Sequence, residues 1–149
     1  GELDQFDFSL DTLLASLETS YNKGRRSLQA LRKSAATEKR NEFRKQVKTL
    51  WHQLRLMNQW NPELLSPLIS ELGELCELLG KDNDLAELID ILPATESARE
   101  NPARIELLDS LAESRRVDLL EQALRLGDGL YSRKTGEFMD WFKAIKLEH

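Results

Sequence analysis

The chain has 149 residues, 40% hydrophobic and 32% charged, with a formal net charge of −5. That is enough for one domain with a real core, and it is not the composition of a disordered or fibrous chain. No apolar run approaches the roughly 20 residues of a membrane span and no apolar leader opens the chain, so no membrane partner and a cytoplasmic setting are expected.

The first predicted element is a helix over residues 9–35, whose apolar stripe is Leu10, Leu13, Leu14, Leu17, Tyr21, Leu28 and Leu31. Thr37 and Glu38 open a second helix with the stripe Phe43, Val47, Leu50, Leu54 and Met57. Asn61-Pro62 combines an N-cap residue with proline at the first helical position and starts a third, which Gly80 is expected to stop and Pro67 to kink near its start. Asp82 then caps a short helix through Leu92, Pro93 ends it, and residues 93–101 read as a loop. Asn101-Pro102 repeats the start signal for a helix running to Leu124, where Gly127 and Gly129 break the pattern. Thr135 caps a last helix carrying Phe138, Trp141, Phe142 and Ile145. No segment shows the period-two alternation of a strand, so the expected fold is all-α: an antiparallel bundle of three or four long helices with shorter pieces between them. Residues 1–146 form one domain in this reading, and Leu147-Glu148-His149 reads as an affinity-tag remnant.

Few residues offer covalent or metal chemistry. Cys76 is the single cysteine and lies in a leucine-rich stretch, where it reads as a small buried hydrophobe. With the tag-like ending set aside, His52 is the only histidine, which leaves no zinc cluster and no Cys/His catalytic pair. Asp82 and Asp84 read as helix-start residues rather than as metal ligands, so no metal and no cofactor are expected.

The charge is unevenly distributed. Between Thr19 and Trp60 eleven Lys and Arg face two Glu, whereas the flanking segments are acidic. In the first helix Arg25 and Arg32 project close to the apolar stripe, while Arg26 and Lys33 point away. In the second, Arg44, Lys48 and Arg55 form a line beside the stripe, with Asn41 at its start, Trp51 between line and core, and Lys45 and His52 on the far side. Three readings are open. The stems cover apolar surface and the heads are merely solvated; or the cations pair with carboxylates such as Glu71, Glu74, Asp82 or Asp84; or Arg25, Arg32, Arg44, Lys48 and Arg55 surround one groove, between the first two long helices, that holds a polyanion. A row of forked guanidiniums and point-charge ammoniums suits an extended phosphate better than one small anion.

The runs NEFRKQVKTLWHQLRLM and LLSPLISELGELCELLGKDNDLAEL, with SYNKGRRSLQALRKS before them and ALRLGDGLYSRKTGEFMDWF after, resemble the CHAD family, the conserved histidine α-helical domain. The resemblance implies a helical module with a basic channel that binds inorganic polyphosphate without catalysing a reaction. It places the family's basic positions on Arg25, Arg44, Lys45 and Lys48, with Lys134 as a further candidate; Arg32 and Arg55 are added by the helical wheel alone. The family's histidines would fall on Asn41 and Asn83, which keep hydrogen-bonding capacity but cannot gain a proton near neutral pH. In length the match resembles the C-terminal half of a full domain, so a missing N-terminal half or a second copy would supply the other wall. The expected function is polyanion binding. The alternatives are a scaffold or oligomerisation bundle with an internal ion-pair seam, or RNA binding, against which stand the acidic balance and the lack of a row of exposed aromatics.

Overall fold

A computed structural model describes the backbone of residues 2–148 and the side chains of residues 10–145. It is an all-helical bundle: α1 (Glu2–Lys33), α2 (Thr37–Met57), α3 (Pro62–Ile91), α4 (Glu96–Glu100), α5 (Pro102–Leu130) and α6 (Thr135–Glu148), with 3-10 turns at Asn58–Trp60 and Leu92–Ala94. The tag-like ending falls outside the described side chains.

Neighbours in sequence pack as antiparallel neighbours, α1 on α2, α2 on α3 and α3 on α5. The predicted stripes of α1 and α2 supply the core, where Leu17, Tyr21, Leu28 and Leu31 meet Phe43, Val47, Leu50 and Leu54; at the start of the α1 stripe Leu14 packs only at the edge of that core and Leu13 is exposed. Two asparagine-proline starts behave as expected. The Asn61 side chain accepts from the Leu64 N–H at 3.2 Å and that of Asn101 from the Arg104 N–H at 3.3 Å. Asn61 also donates to the Ile145 carbonyl at 3.3 Å, which ties the end of α6 to the start of α3.

Two expected breaks are not present, and the expected caps at Asp82 and Thr135 are not made. α3 continues through Gly80, so Asp82 is an interior residue of that helix, 3% exposed, and caps nothing. α5 likewise continues through Gly127 and Gly129. Glycine lowers helix propensity by about 1 kcal/mol, which packing on both sides of these long helices overrides. Thr135 is the first residue of α6 but does not cap it; its hydroxyl bonds Asn22 of α1 at 3.0 Å. Within residues 93–101, read as a loop, the five-residue α4 forms, capped by Thr95.

Where α5 turns into α6, Tyr21 of α1 stacks on Phe138 with ring centroids 3.9 Å apart and donates to the Arg133 carbonyl at 2.8 Å. Tyr131 lies beside it, and its ring passes so close to Gly24 that a Cβ there would sit 2.4 Å from a ring carbon. Gly24→Ala therefore lowers stability by about 1–3 kcal/mol: the ring is buried between Tyr21 and Phe43 and cannot swing aside, and overpacking outweighs the propensity gained. Gly129→Ala, with open space at the same atom, is the control and should raise the melting temperature slightly.

Candidate functional site

The seam between α2 and α3 has one consistent register. Ser66 bonds Asn58 at 3.1 Å, the Trp51 indole lies across Gly73 with its Nε1 3.4 Å from the Cβ position, and the Arg44 guanidinium lies across Gly80 at 4.0 Å. Each step forward along α2 is matched by an equal step back along α3, as in an antiparallel pair. The face that α3 turns to this seam is small: Ser66, Gly73, Cys76 and Gly80 follow at intervals of seven, three and four residues. The two mid-helix glycines give the broad side chains of α2 room to lie flat on the α3 backbone.

The cations of α2 run along that seam. Lys48 and Arg44 both lie close enough to Cys76 to favour its thiolate, yet burial outweighs them and pushes the thiol's pKa up, so Cys76 stays protonated and is a poor nucleophile. Arg55 continues the row, stacked over the Trp51 ring with its guanidinium carbon 4.5 Å from the centroid. Arg44 is half-buried, and its Nε is buried without a hydrogen-bond partner among the described residues. Extending the register one turn places Asn41 level with Asn83, whose amide donates to Glu87 at 3.3 Å. The two positions expected to carry the family's histidines thus share one end of the seam. Lys45 is exposed on the outward face of α2.

The remaining candidates lie elsewhere. Arg25 and Arg32 line a hollow between α1 and the end of α5, together with Gln29, Asp128 and Tyr131. Arg32 makes a bidentate ion pair with Asp128, Nε to Oδ1 at 3.1 Å. Lys134 is exposed where α6 begins, its backbone N–H donating to Glu137 at 3.4 Å. The fold does not bring the five cations into one groove between the first two long helices. That seam is lined by neutral polar groups, with Gln53 bonding Ser16 at 2.9 Å and Ser20 and Gln46 buried. The helical wheel gives each cation's angle from its own core stripe, and the neighbour on that side is decided only by packing: α5 for α1, α3 for α2.

Asp82, one of the carboxylates expected to pair with cations, does so in a buried cluster, but with Arg40 and Arg116, which were not among the candidates. Asp82 accepts from Arg116 at 2.8 Å and from Arg40 at 2.7 Å, and Arg116 also reaches the Thr37 hydroxyl at 3.4 Å. Three elements, the start of α2, the middle of α3 and the middle of α5, meet at this carboxylate. The signal was present in the stripes: Asp82 follows Leu75 and Leu79 on the apolar face of α3, and Arg116 sits between Ala112 and Leu119 on that of α5. Among the described residues no group of three or more His, Cys, Asp or Glu could hold a metal ion, and no helix is long and apolar enough to cross a membrane.

The family model described as CHAD domain matches residues 5–93, which takes in α1 to α3 and leaves α5 and α6 outside. No curated protein and no solved structure matches the chain.

Proposed function

The chain belongs to the CHAD domain family, and from that premise we propose that it is a non-catalytic polyanion-binding module whose ligand is inorganic polyphosphate, held along the α2/α3 seam. CHAD domains are in general linked to polyphosphate binding. The observation that carries the reading is Arg44: a guanidinium laid over Gly80, with one buried N–H unpartnered, at the head of a row continued by Lys48 and Arg55. A buried donor without an acceptor is costly, and an anionic oxygen would remove that cost. Arg44 supplies a fork for phosphate oxygens, while Lys48 and Arg55 neutralise the next phosphates along the chain. Arg25, Lys45 and Lys134 extend the positive field beyond the seam. The carboxylate-paired Arg32 is better explained as part of an internal ion pair, as are Arg40 and Arg116, which is the one respect in which the scaffold reading is favoured.

Titration calorimetry with long-chain polyphosphate at two salt concentrations tests this, with single-stranded RNA as the comparison ligand. Three cations displacing condensed counterions give a slope of log K against log salt of roughly −2, by analogy with single-stranded nucleic acids. A flat salt response, or equal affinity for RNA, sinks the reading.

A further inference from the structure

Beyond Asp82 and Arg116, α3 and α5 leave the bundle. α2 begins at Thr37, which touches Arg116, so the last nine residues of α3 and the first fourteen of α5 extend past it as an arm, about 14 Å long on the α3 side, whose end is closed by the Leu92–Ala94 turn and α4, with Arg104 and Leu108 at the rim of the hollow between α4 and α5. The arm is unusually apolar where it should meet water: Leu107 is 59% exposed, Leu111 58%, Leu108 42% and Leu88, on the adjoining helix, 40%. An isolated helical hairpin normally buries such residues or lacks them.

The charges around this strip have an order. Arg104 and Asp118 lie seven residues before and seven after Leu111, on the same side of α5, because seven residues are close to two full turns. Both are exposed, and neither makes an ion pair among the described residues. A strip with an apolar centre, a cation at one end and an anion at an equal distance at the other is complementary to itself turned end for end. A parallel pairing would set like charges against each other.

We propose that this face is a self-association surface, on which the α5 helices of two copies pack antiparallel about a twofold axis at Leu111. Leu107, Leu108 and Leu111 of each copy form the apolar centre, with Leu88 closing its side. Arg104 of one copy meets Asp118 of the second, twice over by symmetry, and these pairs fix the orientation while the leucines give the affinity. The unpartnered hairpins complete a four-helix arrangement between them.

The test is mass as a function of concentration, by analytical ultracentrifugation of the full chain from about 10 µM to about 1 mM. The wild type moves from monomer to dimer across that range. Arg104→Asp or Asp118→Arg alone sets two like-charge contacts in the interface and raises the dissociation constant roughly tenfold. The double swap restores the opposite pairing and, with it, dimerisation. Circular dichroism is expected to be unchanged in all three, because every altered side chain is exposed. A wild type that stays monomeric overturns the proposal, and so does a dimer that the single swaps leave intact or the double swap fails to restore.

Discussion

Asp82→Ala lowers the unfolding free energy by about 3–5 kcal/mol, read from the midpoint of urea denaturation at constant slope. The Asp82 carboxylate is buried and holds two guanidiniums, Arg40 and Arg116, whose side chains are 12% and 11% exposed. Removing it leaves two like charges facing each other without a counter-ion, in a place where water reaches neither freely. Against a total stability of about 5–15 kcal/mol for a domain, that is from about a fifth to all of it. The penalty belongs to the orphaned cations more than to the lost bonds. The combined replacement Arg40→Met, Asp82→Leu and Arg116→Met should therefore recover most of the stability, since apolar side chains of similar volume often match a buried ion cluster. If Asp82→Ala costs less than about 1 kcal/mol, the triad is solvated and the bundle does not depend on it.

The position of Asp82 shows how far the sequence could be read. Asp after a glycine is a good helix-start signal, and local rules alone placed a break at Gly80. Those rules do not see the Arg44 side chain lying across Gly80 or the two arginines that converge from α2 and α5. By contrast, the stripes of α1 and α2 were legible because their apolar residues recur at three, four and seven, and Asn61 and Asn101 because their capping geometry is local. The candidate cations were legible as residues at an angle from a core. What packs beside that angle is a property of the whole bundle, which is why Arg32 met Asp128, 96 residues away, and Arg44 met α3. Gly24, Gly73, Gly80 and Gly127 share this character. Each reads as a weak point in a helix and is instead a place where another element's side chain comes close.

Arg44→Ala together with Lys48→Ala should weaken polyphosphate binding by roughly a hundredfold or more while leaving the helical content and the melting temperature nearly unchanged. Each charge-assisted contact to a phosphate oxygen is worth about 1.5–3 kcal/mol, and two such losses give that factor. Stability is spared for a specific reason. Lys48 is exposed, Arg44 has no hydrogen bond from its Nε to lose, and the alanines remain good helix formers. Relieving a buried, unpartnered donor even works in favour of the fold. The same pair of substitutions distinguishes this seam from the other basic surfaces, because Arg25, Arg32 and Lys134 keep their charges and stand on different elements. Equivalent loss on mutating Arg25 and Lys134 instead would move the binding track to the α1/α5 side. A fall in melting temperature that accompanies the loss of binding would make Arg44 and Lys48 structural partners of α3, and would leave the phosphate track without its head.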